Sequence, residues 1–345
     1  ALINKNPIEI FYTMRDAHPM PPIKAFTGSA KDLSSAAALI KSQKIVIDLS
    51  SFITFHELNL TKLLVKKFGT LGIARSLVDR LEEYLAELQN IDPKNYSTVT
   101  SSGDKLIHDR LSRESLDFRI KKTKSLIAAT KQHCKILPIN KALEIKQTNL
   151  DQYVRVLGVS NTDTMLIASG TGRLLLSDDQ LFRMLANHEM KVDTIWTQPL
   201  LLSFLADKEI SPADYDEKII HLIEKHYVHT SFNIQTMITA AKLSKWRLAP
   251  PLTAILEVFG DKGVDINSLL NIATNFLYEL WKHATLDVSA KNAILASLLE
   301  KLTKREQDDP KKVMNSLKKR LRVRFKLWPT GAEELIQNID IVTDL

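Results

Sequence analysis

The chain has 345 residues, 47 Lys and Arg against 40 Asp and Glu, and a formal net charge of +7, which is long enough for two domains and basic enough to favour polyanions. Its single cysteine, Cys134, excludes an internal disulfide and a cysteine-rich zinc site. With no apolar run of about 18 residues and no charged-then-hydrophobic leader, a soluble cytoplasmic protein without membrane contact is expected, and the start at Ala1 rather than methionine suggests a piece of something longer.

Residues 1–40 carry Pro7, Pro19, Pro21 and Pro22 and read as an irregular arm ending in a short Ala-rich helix over 32–40. Ile45, Val46 and Ile47 form a β-branched run suited to the middle of a parallel sheet, and Asp48 stands where the run gives way to Ser50 and Ser51. Helical spacing covers 61–67, an extended piece 71–74, and a strong amphipathic helix 76–88; residues 90–103 read as a polar loop. A helix over 111–130 precedes a strand at 134–137, which Cys134 lines. Next comes NTDTMLIASGTGRLLLSDDQLFRMLA, in which Thr162 or Asp163 sits where a helix N-cap is expected. Gly170 and Gly172 turn the chain into a buried strand, Arg173 to Leu176, which leaves through Ser177-Asp178-Asp179 into a helix. A fifth strand over 192–196 completes an alternation typical of a layered α/β sheet. Beyond Thr197, seven segments with helical spacing (200–205, 213–226, 234–243, 252–259, 266–281, 290–302 and 310–325) predict a packed helical domain without a fixed repeat period. The expected division is therefore an arm over 1–40, an α/β domain over 41–205 and an all-helical domain over 206–345.

Ligands of open α/β folds collect at the carboxyl ends of parallel strands. Asp48, Asp163 and Asp179, with Asp178 beside it, are placed to form a carboxylate cluster there, and such oxygen ligands suit magnesium, which is held directly by one or two carboxylates while others orient its waters. Each acid also has a plainer reading: Ser177 to Gln180 fits a capping box, and Asp48 an ordinary strand-end cap. The segment KKVMNSLKKRLRVRFK, 311–326, holds eight basic residues and no acid. Met314, Leu317 and Leu321 make an apolar stripe that turns Lys318, Lys319, Arg320, Arg322 and Arg324 toward solvent or phosphate. A second basic cluster lies at Arg119, Lys121, Lys122 and Lys124, while Trp246, Trp281, Tyr227 and Phe276 read as core anchors and His226 and His229 as structural. P-loop, dinucleotide fingerprint and nucleophile elbow are absent.

The phrases IVIDLSSFI, NTDTMLIASGTG and LLLSDDQLFRMLA, in that order, resemble the PIN-domain nucleases, and SDDQLFRMLA followed by VDTIWTQPLL is most similar to bacterial PIN domains found beside tetratricopeptide arrays in conflict-system proteins. The resemblance spans about residues 40–205. It implies an α/β, PIN-like sandwich with a central, mainly parallel sheet of about five strands flanked by helices. It also implies a metal-dependent endoribonuclease using Mg²⁺ or Mn²⁺ in a toxin or antiviral defence setting, with RNA as substrate and a protein partner or upstream regulatory domain. Under it Asp48, Asp79, Asp163 and Asp179 are the catalytic acids, Asp48, Asp163 and Asp179 carry the metal with Asp178 in reserve, and Glu82 stands as an alternative to Asp79. One position departs from the pattern. In Ser76-Leu77-Val78-Asp79-Arg80-Leu81, Arg80 occupies the place of the family's glutamate, and this leaves open a PIN-like scaffold that binds RNA or protein without cutting.

Overall fold

Ile45–Ile47 (β1) is an uninterrupted β-branched run whose three side chains are completely buried, as a parallel strand covered on both faces requires. Two flanking runs pair with it in parallel, Leu71–Ile73 (β2) and Leu174–Leu176 (β6). Cys134–Ile136 (β5) and Thr194–Ile195 (β7) extend the sheet outward, giving the order β5-β2-β1-β6-β7 with every pair parallel. This computed structural model describes residue 8 and residues 23–25, 30–40, 44–92, 97–102, 105–110, 112–305 and 308–343. Most of the expected arm lies outside the described residues, apart from helix α1, Ala30–Leu39.

Parallel neighbours need crossovers, and helices supply them. Leu49–Glu57 (α2) and Thr61–Phe68 (α3) lead from β1 to β2, and Arg75–Gln89 (α4) and Arg113–His133 (α5) lead on to β5. Gln147–Leu157 (α6) and Val159–Thr171 (α7) precede β6; Gln180–Met190 (α8) joins β6 to β7, and Thr197–Ala206 (α9) follows. The α/β, PIN-like arrangement is therefore present: a five-stranded parallel sheet flanked by helices.

Several local expectations are corrected. The polar stretch before residue 103 is not all loop: Ser97–Ser102 (β3) pairs antiparallel with Lys105–Arg110 (β4). Residues 49–57 are helical even though Phe52, Ile53 and Phe55 favour strands, because Asp48 caps the first turn and tertiary burial overrides propensity. Asp163 is not at a helix start; Gly158, at φ +76°, separates α6 from α7, so Asp163 falls in the second turn. The capping box expected at Ser177 is replaced by a cap at Asp179, whose carboxylate accepts from Phe182 N.

Gly72 lies in the middle of β2, where a Cβ would come within 2.5 Å of Leu137 Cδ1, 3.1 Å of Val46 Cγ2 and 3.2 Å of Ile45 O. Leu137 can move aside, whereas the backbone of β1 cannot. Gly72→Ala is expected to cost about 1–2 kcal/mol, read as a lower midpoint in urea unfolding with an unchanged slope.

The chain clusters into two units, residues 1–25 with 30–209 and residues 26–29 with 210–345. The second holds the helices Pro212–Glu224 (α10), Ile234–Leu243 (α11), Leu252–Val258 (α12), Ile266–Lys282 (α13), Val288–Thr303 (α14), Pro310–Arg324 (α15) and Pro329–Thr343 (α16), besides a two-residue extended stretch, Tyr227–Val228. Helix α16 lies beyond the seven expected segments: proline is tolerated in a first turn, and Ala332, Leu335, Ile336 and Ile339 bury one face. Arg305 is fully buried and closes the α12–α13 loop onto the end of α14. Its guanidinium donates to Asp308 Oδ2 (2.6 Å), Asp261 O (2.5 Å) and Val264 O (2.8 Å).

Candidate active site

β1 ends at Ile47, paired with Leu176 of β6, so the next residues of both strands meet at the carboxyl edge of the sheet. Asp48 N donates to Leu176 O at 3.1 Å, and the Asp48 carboxylate turns inward with only 2% of the residue exposed. It accepts three hydrogen bonds: Ser51 N to Oδ1 (2.8 Å), and the hydroxyls of Ser50 (2.9 Å) and Ser177 (2.7 Å) to Oδ2. Burial pushes its pKa up from 3.8 to about 6; the bonds from Ser177 and Ser51 oppose the rise, and the charge of Asp178 adds a little to it.

Ser177 joins two of the acids. While its hydroxyl donates to Asp48, its oxygen accepts from Asp179 N at 3.1 Å. Asp179 is exposed and caps α8 through Phe182 N at 3.0 Å. Asp178 points the other way, into the protein. It is 1% exposed, its oxygens accept from Thr197 N (2.8 Å) and Thr197 Oγ1 (2.7 Å), and its own N–H donates to Ser51 Oγ (2.8 Å). Asp178 therefore braces the start of α9 against the β6 end and α2.

On the other side of β1, α4 begins just after β2, and its Ser76 hydroxyl donates to Asp163 Oδ2 of α7 at 2.5 Å. Asp163 is half-buried, and burial raises its pKa against the opposing pull of that bond. Asp79 lies on an exposed face of α4 in an ion pair with Arg75 at 2.9 Å, and Glu82 lies 3.8 Å from Lys131. Arg80 pairs with Glu83 at 2.8 Å along the same helix.

Arg183 escaped the sequence reading. It is buried on α8, donates to Ser177 O (2.7 Å) and Ala25 O (2.5 Å), and lies 4.9 Å from the centre of the Trp196 ring. Desolvation lowers its pKa, while Asp178, Asp48, Asp179 and Asp32 hold it up, which places a fixed cation behind the acids. The signal was a cation one helical turn after Asp179 on the apolar face of α8.

The fold and this edge define a nuclease-like α/β domain. Residues 46–188 match the family described as PIN domain associated with the TPR-GreAB-C-PIN system, and that part of the chain is similar to it. No curated protein and no solved structure matches the chain. No helix among the described residues is long and apolar enough to cross a membrane.

The donor set allows a test of fit for the divalent ion that PIN domains typically use. Among the described residues, no three His, Cys, Asp or Glu side chains come together as a metal-holding group. The acids at the edge nevertheless offer only hard oxygens. Three bonds to Asp48, one to Asp163 and one to Asp179 leave acceptor capacity on each, since an ionised carboxylate has about four lone-pair sites. Donors of that chemistry suit Mg²⁺ or Mn²⁺, which keep several waters and need one or two direct carboxylates.

Proposed function

We propose that the PIN domain is a metal-dependent endoribonuclease that hydrolyses RNA phosphodiester bonds, with Asp48, Asp163 and Asp179 as the acids that hold Mg²⁺ or Mn²⁺. The observation that carries this reading is the Asp48–Ser177–Asp179 relay at the carboxyl edge, with the Ser76–Asp163 pair at the start of the helix after the neighbouring strand. When bound, the ion supplies a Lewis acid that activates water and offsets charge developing on the phosphate. The residues supply the rest. Asp48 is fixed by three donors and gives a rigid anchor, while exposed Asp179 and half-buried Asp163 face incoming solvent and substrate. Arg183 holds the Ser177 carbonyl and keeps the strand end from spreading under the repulsion of neighbouring acids.

Residues 41–205 are taken as the nuclease domain, 206–345 as the helical domain and 1–40 as the arm. The family's association with a TPR-containing system supports a protein partner and a role as a toxin or defence effector. The direct test incubates the purified chain with labelled RNA in Mn²⁺ and in EDTA. Cleavage only with Mn²⁺ is expected, and intact RNA in both overturns the proposal.

A second reading, a scaffold that binds without cutting, is favoured by one observation: at the place of the family's glutamate, Arg80 is engaged with Glu83. The two readings diverge for Arg80→Glu. If the acids form the site, an added carboxylate tightens Mn²⁺ binding by about 10-fold, the low end of what one supporting group contributes. An unchanged affinity by calorimetry favours the scaffold.

A further inference from the structure

The helical unit carries a groove that the PIN chemistry does not use. Its floor is one face of α13, where Asn271, Asn275 and Glu279 recur every fourth residue, with His283 just past the helix end. One wall is α11 with Ile238 and Lys242; the other is α15 with Lys319, Arg320 and Arg324. Two cavities of about 420 and 490 Å³ follow this line and share Asn275 and Arg324, so the groove is continuous.

Charge along it is one-sided. Lys242, Lys319, Arg320 and Arg324 line the cavities against a single acid, Glu279. Arg324 is preset: its guanidinium lies 4.3 Å from the centre of the Tyr278 ring, and Tyr278 packs edge-on against Phe325. Stacking fixes the plane of the fork, which lowers the entropy lost on gripping a phosphate. Arg320 is oriented by a 2.9 Å bond to Asn267 Oδ1. Trp246, braced by Phe276 and His283, closes one end with an apolar surface. Lys318, by contrast, is drawn away from the groove to Asp340 of α16.

We propose that this groove binds the backbone of a single-stranded nucleic acid, with Lys319, Arg320 and Arg324 on successive phosphates and the amides of Asn271 and Asn275 on sugar or base edges. Arg320 and Arg324, one helical turn apart, with Lys319 next to Arg320 and beside amides that both donate and accept, suit a sugar–phosphate chain. That the strand is RNA awaiting cleavage rests on the function proposed above; the groove itself does not.

The test uses the full chain carrying Asp179→Asn, in EDTA, so that binding is read without cutting. Fluorescence anisotropy of a labelled 12-nucleotide RNA is followed across a salt series. Adding Lys319→Ala with Arg324→Ala is expected to weaken binding at least 10-fold and to flatten the slope of log affinity against log salt by about 1.4, the value for two lost single-strand phosphate contacts. Lys318→Ala should stay within 2-fold of the parent. Lys319→Glu alone, an exposed change that leaves the Tyr278 stack intact, should also weaken binding at least 10-fold. Unchanged affinity in the double variant and in Lys319→Glu overturns the proposal, as does an equal loss from Lys318→Ala. Displacement of the strand by equimolar 5′-AMP would make the groove a mononucleotide pocket, and tighter binding of a polyglutamate peptide would make it a protein site; either overturns it. Groove binding with no cleavage by the unmodified chain in Mn²⁺ would sink the nuclease reading alone.

Discussion

Asp179→Asn is expected to lower RNA cleavage by about 10²–10³-fold while leaving RNA affinity and the melting curve nearly unchanged. The expectation rests on separating two duties of one side chain. As a cap, Asp179 offers Oδ1 to Phe182 N, and asparagine serves as well as aspartate at that position. As part of the proposed site it offers negative charge to the ion, which asparagine does not supply. Asp179 is exposed, so its replacement opens no cavity. Asp179→Ala adds loss of the cap, about 1 kcal/mol, and comparing the two variants isolates the charge. Cleavage by Asp179→Asn at the parental rate would remove Asp179 from the chemistry.

Asp48→Asn is expected to abolish cleavage to a similar degree yet to raise stability at neutral pH. In the folded chain the Asp48 carboxyl titrates at about 6 against its ordinary 3.8, so the folded state binds the proton more tightly than the unfolded state. Its contribution is therefore fully favourable below pH 3.8 and is lost as pH rises toward 6, a difference of about 3 kcal/mol for a shift of this size. Asparagine does not ionise, keeps the bond from Ser51 N through Oδ1, and presents Nδ2 to Ser50 and Ser177, whose hydroxyls rotate to accept. Ser177 already accepts from Asp179 N, so its own proton loses a partner and part of the gain is offset. A net rise of about 1–2 kcal/mol at pH 7.5 is expected, with a flatter dependence of unfolding free energy on pH between 4 and 6. Denaturant titrations across that window measure it; the same slope in both chains would show that Asp48 does not bear the burden. The parent should in turn gain more from Mn²⁺ in a thermal melt than Asp48→Asn, because a cation offsets the buried charge only where there is one.

Sequence alone carried the sheet and the position of its acidic edge. Ile45-Val46-Ile47 and Leu174-Leu175-Leu176 are short, wholly apolar runs, and their length, with the β-branched residues of the first and the glycine turn before the second, favours strands buried on both faces over helix. Asp48 and Ser177-Asp178-Asp179 were readable as the edge because polarity changes abruptly where each strand ends. Residues 49–57 and 329–343 were not, since aromatic and β-branched residues, or proline and glycine, hide helices that capping and burial enforce.

Only the tertiary structure decided what each acid and cation does. Asp178 and Asp179 are neighbours in the chain, yet one is sealed against Thr197 and the other faces solvent, because the β6 end turns between them. Lys318 and Lys319 part in the same way, one to Asp340 and one to the groove, since successive residues of a helix point about 100° apart. A one-dimensional pattern fixes which residues lie at a strand end or on a helix; direction and partners come from the elements packed against them, and those are set by contacts between residues far apart in the chain.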